Sequence, residues 1–503
     1  MLNTRASGAL MHVTSLPSPY GIGGMGEEAR RFIKKIKEMG FSYWQVLPLN
    51  PADLYGSPYA SDSAFAINPL LIDPAWLVKN GYVGEADAAE CVYPGTPYTA
   101  DFAFAQRTKR ALLEKAFRNR FESVAEALYS FRDRHFWVRD YAYYRALKDK
   151  NGNKPWYEWE FCRDHAEADG AAFPNNEQYY YVFEQYIAYT QWREIRQYAN
   201  EHGVKILGDM PIYVSFDSAD VWSAPEQFEI DRRTLTRKRV AGVPPDYFSA
   251  DGQLWGNPLY DWKTMEKDGF RWWLDRIRHA LKIYDTVRID HFRAFASYWA
   301  VPADAKTAKT GEWCKGPGMK LFDAVKKEIG EAQIVAEDLG VFGEDVVKLL
   351  KDTQFPGMRV IQFGFDPDGD STHLPHHYPE NSVAYVGTHD NNTLLGYLWE
   401  ASERECAFAL DYCGFEGGNW GEGGYRSPSC RKIIETVWRS NAKLAVISFQ
   451  DMCGFGADAR MNTPGRAEGN WRFRTTQETI DSVDAEYFKK INRVFKRIPY
   501  IRK

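Results

Sequence analysis

Cysteine is scarce and unpatterned in this chain. Seven occur in 503 residues (Cys91, Cys162, Cys314, Cys406, Cys413, Cys430 and Cys453), an odd number with no CxxC pair. That excludes a disulfide framework or a zinc knuckle and points to reduced thiols, hence a cytoplasmic location. Long hydrophobic runs are missing too. No window approaches 18 uninterrupted apolar residues, so no membrane span is expected. The start, "MLNTRASGALMHVTSLP", lacks the basic residues and apolar core of a signal peptide. Charge of one sign is also lacking. With 63 basic and 68 acidic residues the net charge is −5, too little to draw the chain to nucleic acid or an anionic membrane. There is no G-x-x-x-x-G-K-[ST] phosphate loop, H-E-x-x-H, low-complexity segment, short repeat or long charge run.

What the chain has in plenty is aromatic side chains: 15% of residues, with 17 Trp and 30 Tyr. They serve either a ring-rich core or stacking platforms for flat apolar faces such as sugar rings. The length exceeds the ~250–300 residues at which a single core usually stops growing. Several domains, or one large barrel with insertions, are the two solutions.

Short strand-like runs alternate with helical patterns. The runs are "ALMHVTSLP" (9–17), "YWQVLPLN" (43–50), "VKILGDMPIYV" (204–214), "YDTVRID" (284–290), "QIVAEDLG" (333–340), "RVIQFGF" (359–365), "SVAYVGTHD" (382–390) and "LAVISFQDM" (444–452). Helical patterns such as "EEARRFIKKIKEMG" and "RWWLDRIRHALKIY" separate most of them. Repeated apolar β and amphipathic α units imply a parallel sheet covered by helices. Polar residues gather at the C-terminal ends of the runs: Asp209, Asp290, Glu337 with Asp338, and His389 with Asp390. A doubly wound sheet binds mainly at one switch point, whereas a ring of such ends suits an eight-stranded barrel. The predicted fold is therefore α/β, a (β/α)8 TIM barrel, with the whole chain (1–503) as one catalytic unit. Two stretches break the rhythm. Residues about 70–175 read as an inserted, mainly helical subdomain, and about 217–265 as an inserted loop or lid region near the site.

"GIGGMG" (21–26) formally matches a dinucleotide fingerprint. No tight strand-to-helix turn precedes it, however, and the next strand ends on Asn50 rather than an acidic residue. The stronger signal is "YDTVRIDHFRAF" (284–295), where Arg288, Asp290, His291 and Arg293 crowd the mouth of an apolar run. Charges drawn together out of water are costly unless they pair. Asp290 follows "TVRI", Glu337 follows "QIVA" and Asp390 follows "AYVGTH". Closing the strands into a barrel aims all three carboxylates at one cleft. Their pKa values then split, so that one stays ionised while another keeps a proton. An anionic nucleophile beside a protonated acid is what cleavage of an acetal needs. Arg288, two residues before Asp290, lies on the same strand face and holds it ionised. Asp338 is expected as a helix cap. A metal held by His12, His291 or His389 is disfavoured by Arg288 and Arg293 close by, so no metal and no cofactor is expected.

"GDMPIYV" (208–214), "VRIDHFRAF" (287–295), "VAEDLG" (335–340) and "GTHDNNT" (387–393) resemble the four characteristic regions of the 4-α-glucanotransferases, within the wider α-amylase clan. "GALMHVTSLPSPYGIGGMG", "YGSPYASDSAFAINPLLID", "DGQLWGNPLYDW" and "RMNTPGRAEGNWRFR" are similar to that family as well, and the resemblance covers nearly the whole chain in order. It implies that Asp290 is the nucleophile, Glu337 the general acid/base and Asp390 the third, transition-state-stabilising carboxylate. Arg288, His389 and Asp209 match substrate-contacting positions. Tyr59, Trp255 and Asn257 match residues that line donor and acceptor sugars. Lid-like segments at about 243–256 and 460–470 are where chain-length preference is set. The implied partners are maltooligosaccharides and α-1,4-glucans (maltodextrin, starch, glycogen), with the protein acting as a monomer. A retaining α-glucan hydrolase and a non-catalytic glucan-binding barrel are the alternatives.

Overall fold

The computed structural model describes residues 4–160, 162–165, 177–245, 250–340, 343–466 and 468–498. Eight parallel strands form its centre: β1 (Ala6–Leu10), β2 (Tyr43–Gln45), β3 (Lys205–Met210), β4 (Thr286–Ile289), β5 (Ile334–Ala336), β6 (Gly357–Val360), β7 (Ser382–Tyr385) and β8 (Leu444–Ser448). They run side by side in the order β5-β4-β3-β2-β1-β8-β7-β6. The two end strands meet where Ala336 N–H donates to Pro356 O at 2.9 Å, which brings the sheet round to a nearly closed barrel.

Alternation with period two sorts the strand residues between two cores. Leu10, Tyr43, Leu207, Val335, Met358, Val360, Val383, Tyr385, Leu444 and Val446 pack together inside the ring. Their neighbours Ala9, Trp44, Ile206, Val287, Ile289, Ile334, Ala384 and Ile447 face outward into a much larger core beneath the helices. Helix Glu27–Glu38 shows how that outer core is made. Ala29, Phe32, Ile33 and Ile36 are its buried residues, at the i, i+3, i+4, i+7 spacing of one helical stripe. Each large apolar side chain so buried contributes about 1.5–3 kcal/mol. The helix stops at Gly40, whose φ of +80° or so (84°) closes the last turn with Phe41 N–H donating to Ile36 O at 3.0 Å. Most tryptophans belong to this core: Trp44, Trp192, Trp273 and Trp438 are fully buried.

Several boundaries differ from the sequence expectation. The first strand occupies Ala6–Leu10 rather than 9–17, and residues Val13–Ser15 form a 3₁₀ turn. The sixth begins earlier, at Gly357, and passes into a 3₁₀ turn at Ile361–Phe363. In both places the apolar run continues past the barrel wall into a buried turn. "GIGGMG" is a packing element: a Cβ on Gly23 would lie 2.0 Å from Val13 O.

Between β2 and β3 the chain forms helices Pro74–Lys79, Glu85–Ala89, Phe102–Arg134 and Val138–Lys150 before the long barrel helix Glu177–Glu201. The part of the expected insertion at 161 and 166–175 lies outside the described residues. The 217–265 stretch, expected as loop, contains strands Arg239–Val243 and Gln253–Pro258. These join Ser297–Pro302 and Glu312–Lys315 in an antiparallel sheet. The partner strands lie after β4, so no local pattern announced the pairing.

Asp338 is not a helix cap. Its side chain reaches across the closing seam, where Oδ1 accepts the Met358 N–H and Oδ2 pairs with Arg359 at 2.9 Å. A Cβ on Gly357 would strike that carboxylate at 2.5 Å, so glycine is what lets the two strands approach. Replacing Asp338 by Ala leaves a buried N–H and a guanidinium without their partner. The expected loss is about 3–5 kcal/mol, read as a lower urea midpoint; an unchanged midpoint would mean that the backbone alone closes the seam.

Candidate active site

Asp209 and Arg288 are register partners on β3 and β4, both pointing into the ring. Arg288 Nη1 donates to both oxygens of Asp209 at 2.7 and 2.6 Å, and Nη2 donates to Asp290 at 2.7 Å. Asp290 stands two residues after Arg288 and therefore on the same face. The side chains of Asp209 and Arg288 are 0% and 4% exposed, while that of Asp290 is 30% exposed. One guanidinium thus joins a fully buried carboxylate below to an accessible carboxylate above. The remaining contacts of Asp209 come from Tyr59 Oη–H at 2.5 Å and the Met210 N–H at 3.0 Å. Its oxygens accept from these protein donors, and Arg288 links Asp209 to Asp290.

Glu337 follows β5, next to β4. Its Oε2 accepts the His291 N–H at 2.7 Å and its Oε1 accepts the Leu339 N–H at 2.7 Å. The first bond depends on a left-handed turn at His291, with φ 51° and ψ 45°. For a non-glycine residue that conformation costs about 1–2 kcal/mol, and here it aims the amide following Asp290 at Glu337. The two carboxylates are therefore stitched together by adjacent backbone.

The electrostatics follow from the count of charges. Around Arg288 stand Asp209, Asp290 and Glu337, three acids for one cation. Burial, and then the charge of Asp290, push the Glu337 carboxyl up to about 8. Burial lifts Asp290 also, and Arg288 opposes it. Of the pair, Glu337 takes the proton, because only Asp290 touches the guanidinium.

Asp390 extends from the loop after β7 and adds to the negative field at Asp290. Asn462 Nδ2 donates to its Oδ1 at 2.6 Å, His389 Nε2 lies 3.3 Å from the same oxygen, and Arg460 donates to its backbone carbonyl at 2.6 Å. Tyr59 stacks on His389 with centroids 5.3 Å apart and planes at 15°, and Trp471 closes the group at 5.6 Å from Tyr59. Trp255, 38% exposed, stands edge-on to His291 at 4.8 Å. Asn257 commits its amide N–H to Val214 O at 2.8 Å, which fixes the strand carrying Trp255 beside the end of β3.

All nine side chains singled out from the sequence thus lie at or beneath the C-terminal ends of the strands. Asn462, Arg460 and Trp471 were not singled out. Their signals were the "RMNTPGRAEGNWRFR" stretch and, for Arg460 and Asn462, the lid-like segment at about 460–470, because nothing local says that a segment after β8 reaches Asp390. Of the two lid-like segments, residues 246–249 and 467 lie outside the described residues. His12, considered as a metal ligand, is buried and neutral, its pKa pushed down to about 3 by burial and the nearby His389. With His389 and Ser15 it lines a cavity of about 20 Å³, room for about one water. Among the described residues, the group whose donor atoms could share an ion is Asp370, His376 and His377, exposed on the β6–β7 connection; none of them belongs to this cleft.

A family model for 4-alpha-glucanotransferase matches residues 11–479. The 4-alpha-glucanotransferase of Aquifex aeolicus is 42% identical over 501 residues, spanning 98% of this chain and 99% of its own. That of Thermus thermophilus is 42% identical over 489 residues, spanning 93% and 94%. Among solved structures, amylomaltase from Streptococcus agalactiae in complex with acarbose superposes with a TM-score of 0.93 at 38% identity, covering 98% of this chain and 99% of that one. With agreement in sequence and in fold over nearly its whole length, the chain belongs to the 4-alpha-glucanotransferase family.

Proposed function

We propose that this cleft transfers segments of α-1,4-glucan by retaining double displacement. The observation that carries the reading is the Asp209–Arg288–Asp290 chain of ion pairs beside Glu337, whose carboxyl burial pushes up to about 8. Asp290 Oδ attacks the anomeric carbon while Glu337 gives its proton to the departing glucosidic oxygen, so one C–O bond forms as the other breaks. The leaving chain departs with a new hydroxyl, and the donor segment stays as an ester on Asp290. Glu337, now ionised, takes the proton from the 4-hydroxyl of an acceptor glucan or glucose, whose oxygen attacks the same carbon and frees Asp290. Two inversions give net retention. No oxidation occurs, and the chain's own residues supply every proton.

Asp390, held by Asn462 and His389, grips sugar hydroxyls and stabilises the oxocarbenium-like transition state. Arg288 and Asp209 act as positioning residues, while Tyr59, Trp255, Asn257 and His389 line the sugar sites. Transfer wins over hydrolysis when the acceptor is held and oriented, which raises its effective concentration far above bulk. Trp255 against His291 and the Tyr59–His389–Trp471 stack supply rings where such chains would lie. The substrates on this reading are maltooligosaccharides and longer α-1,4-glucans. On this reading the enzyme acts as a monomer in the cytoplasm. No helix among the described residues is long and apolar enough to cross a membrane. The same reading takes the whole chain as a single catalytic barrel. The helical segment of about 70–175 and the excursion of about 217–265 are insertions growing from strand ends that bear the site.

Maltotriose is the discriminating substrate. Glucose together with longer dextrins reports transfer; a steady rise of reducing ends would make the protein a hydrolase, and binding without turnover a lectin-like barrel. Asp290→Asn and Glu337→Gln are expected to lower kcat by several orders of magnitude without changing the melting temperature. Near-normal rates in either would overturn the role assignment. Glu337 must hold a proton to act as acid, and its pKa is raised, so activity should persist through neutral pH. It should fall as pH rises through about 8. An alkaline limb that begins near pH 5 would contradict this. Asn462→Ala, which frees Asp390 to swing, should cost about 10²-fold in kcat through misplacement with little change in stability.

A further inference from the structure

A second cavity, of about 220 Å³, opens between the helical insertion and the barrel's β3 and β4 units. It contains none of the residues of the catalytic cleft. For scale, an engineered cavity of about 150 Å³ accepts a benzene ring, so a six-membered ring fits. Phe136 is 56% exposed at its edge and meets Phe65 edge-on at 5.1 Å. Trp272 meets Phe65 at 6.0 Å. These rings offer apolar faces from two sides.

The polar lining narrows the ligand class. Asp140, Asp220, Asp268 and Asp275 supply carboxylates, and Arg271 supplies one guanidinium. Two lining residues also hold buried polar atoms without a hydrogen-bond partner: Trp137 Nε1, a donor, and Gln227 Oε1, an acceptor. Asp275 pairs with Arg278 at 3.1 Å, Asp140 lies 3.1 Å from His165, and Asp268 accepts from Gln227 and the Arg271 N–H; the carboxylates keep free lone pairs for hydroxyl donors and disfavour an anion. A simple cation would satisfy the acids but not the indole N–H, and it would face Arg271. A hydroxyl both donates and accepts, so a neutral polyhydroxylated ring can satisfy carboxylates, amide oxygen and indole N–H together, with its C–H face against the aromatic rings.

We propose that this cavity is a non-catalytic binding site for a glucosyl unit of a long glucan chain, anchoring polymer on the outside of the barrel. The choice of glucan rests on the functional reading above; the polyhydroxylated class rests on the lining itself. Anchoring at a second point raises the local concentration of chain ends at the cleft without adding any contact to the reacting bond.

Two substitutions test it in opposite ways. Phe136→Ala removes the exposed ring, and Ser223→Phe fills the cavity from the end of helix Ala219–Ser223. Melting curves establish that both variants fold. Retardation of the native protein in gels containing amylopectin gives the polymer affinity. Turnover of maltotriose, a substrate of three sugar units, gives the activity of the cleft. Both variants are expected to weaken amylopectin binding at least threefold while kcat/KM for maltotriose stays within twofold of the parent. Unchanged retardation in either folded variant, or a parallel fall in maltotriose turnover, overturns the proposal. Absence of maltotriose transfer in the parent would instead refute the catalytic reading, so the two failures are distinct.

Discussion

The site depends on one buried arginine. Arg288 sits inside the barrel, closed to solvent, with Asp209 on one side and Asp290 on the other. An unpaired guanidinium there would be severely destabilising, and the direct β3–β4 register is what supplies its first partner. With Asp209 also engaged by Tyr59 and the Met210 amide, the arginine is fixed in place and its second nitrogen faces the cleft. The geometry at Asp290 is in this sense a by-product of solving a burial problem one layer lower.

That charge arrangement also divides the labour between the two carboxylates. Direct contact with Arg288 favours the ionised form of Asp290. Glu337 has backbone N–H groups for partners and an anion for a neighbour, so burial and the charge of Asp290 favour its protonated form. The left-handed His291 turn couples them: it joins the residue after Asp290 to the side chain of Glu337. Strain at a single residue is held in place by the strands on both sides.

The outer parts of the site are built differently. Asp390 is oriented by Asn462, His389 and Arg460, two of which arrive from a segment beyond the last barrel strand. Trp255 is carried by an antiparallel sheet assembled from two stretches that lie on either side of β4 in sequence. The inner carboxylates therefore rest on the barrel itself, whereas Trp255 and the partners of Asp390 ride on excursions from it. The second cavity fits this division, since it too lies where an insertion meets the barrel.

Local spacing in the chain determined much of this. Period-two alternation placed Arg288 and Asp290 on one face, and apolar runs ending in Asp209, Asp290, Glu337 and the Thr388–Asp390 turn showed where the polar end of a ring would be. Helix Glu27–Glu38 was legible down to its stop at Gly40 because its stripe and its terminator are both local. Only the tertiary structure decided how the ring closes, with Asp338 bridging to Met358 and Arg359 rather than capping a helix. It alone brought Asn462 to Asp390, paired Arg239–Val243 with Ser297–Pro302, and set Asp290 beside Glu337. The physical reason is the same each time. A residue's face follows from its near neighbours, but its partner across a seam is set by closure of the whole barrel, which no short stretch of sequence contains.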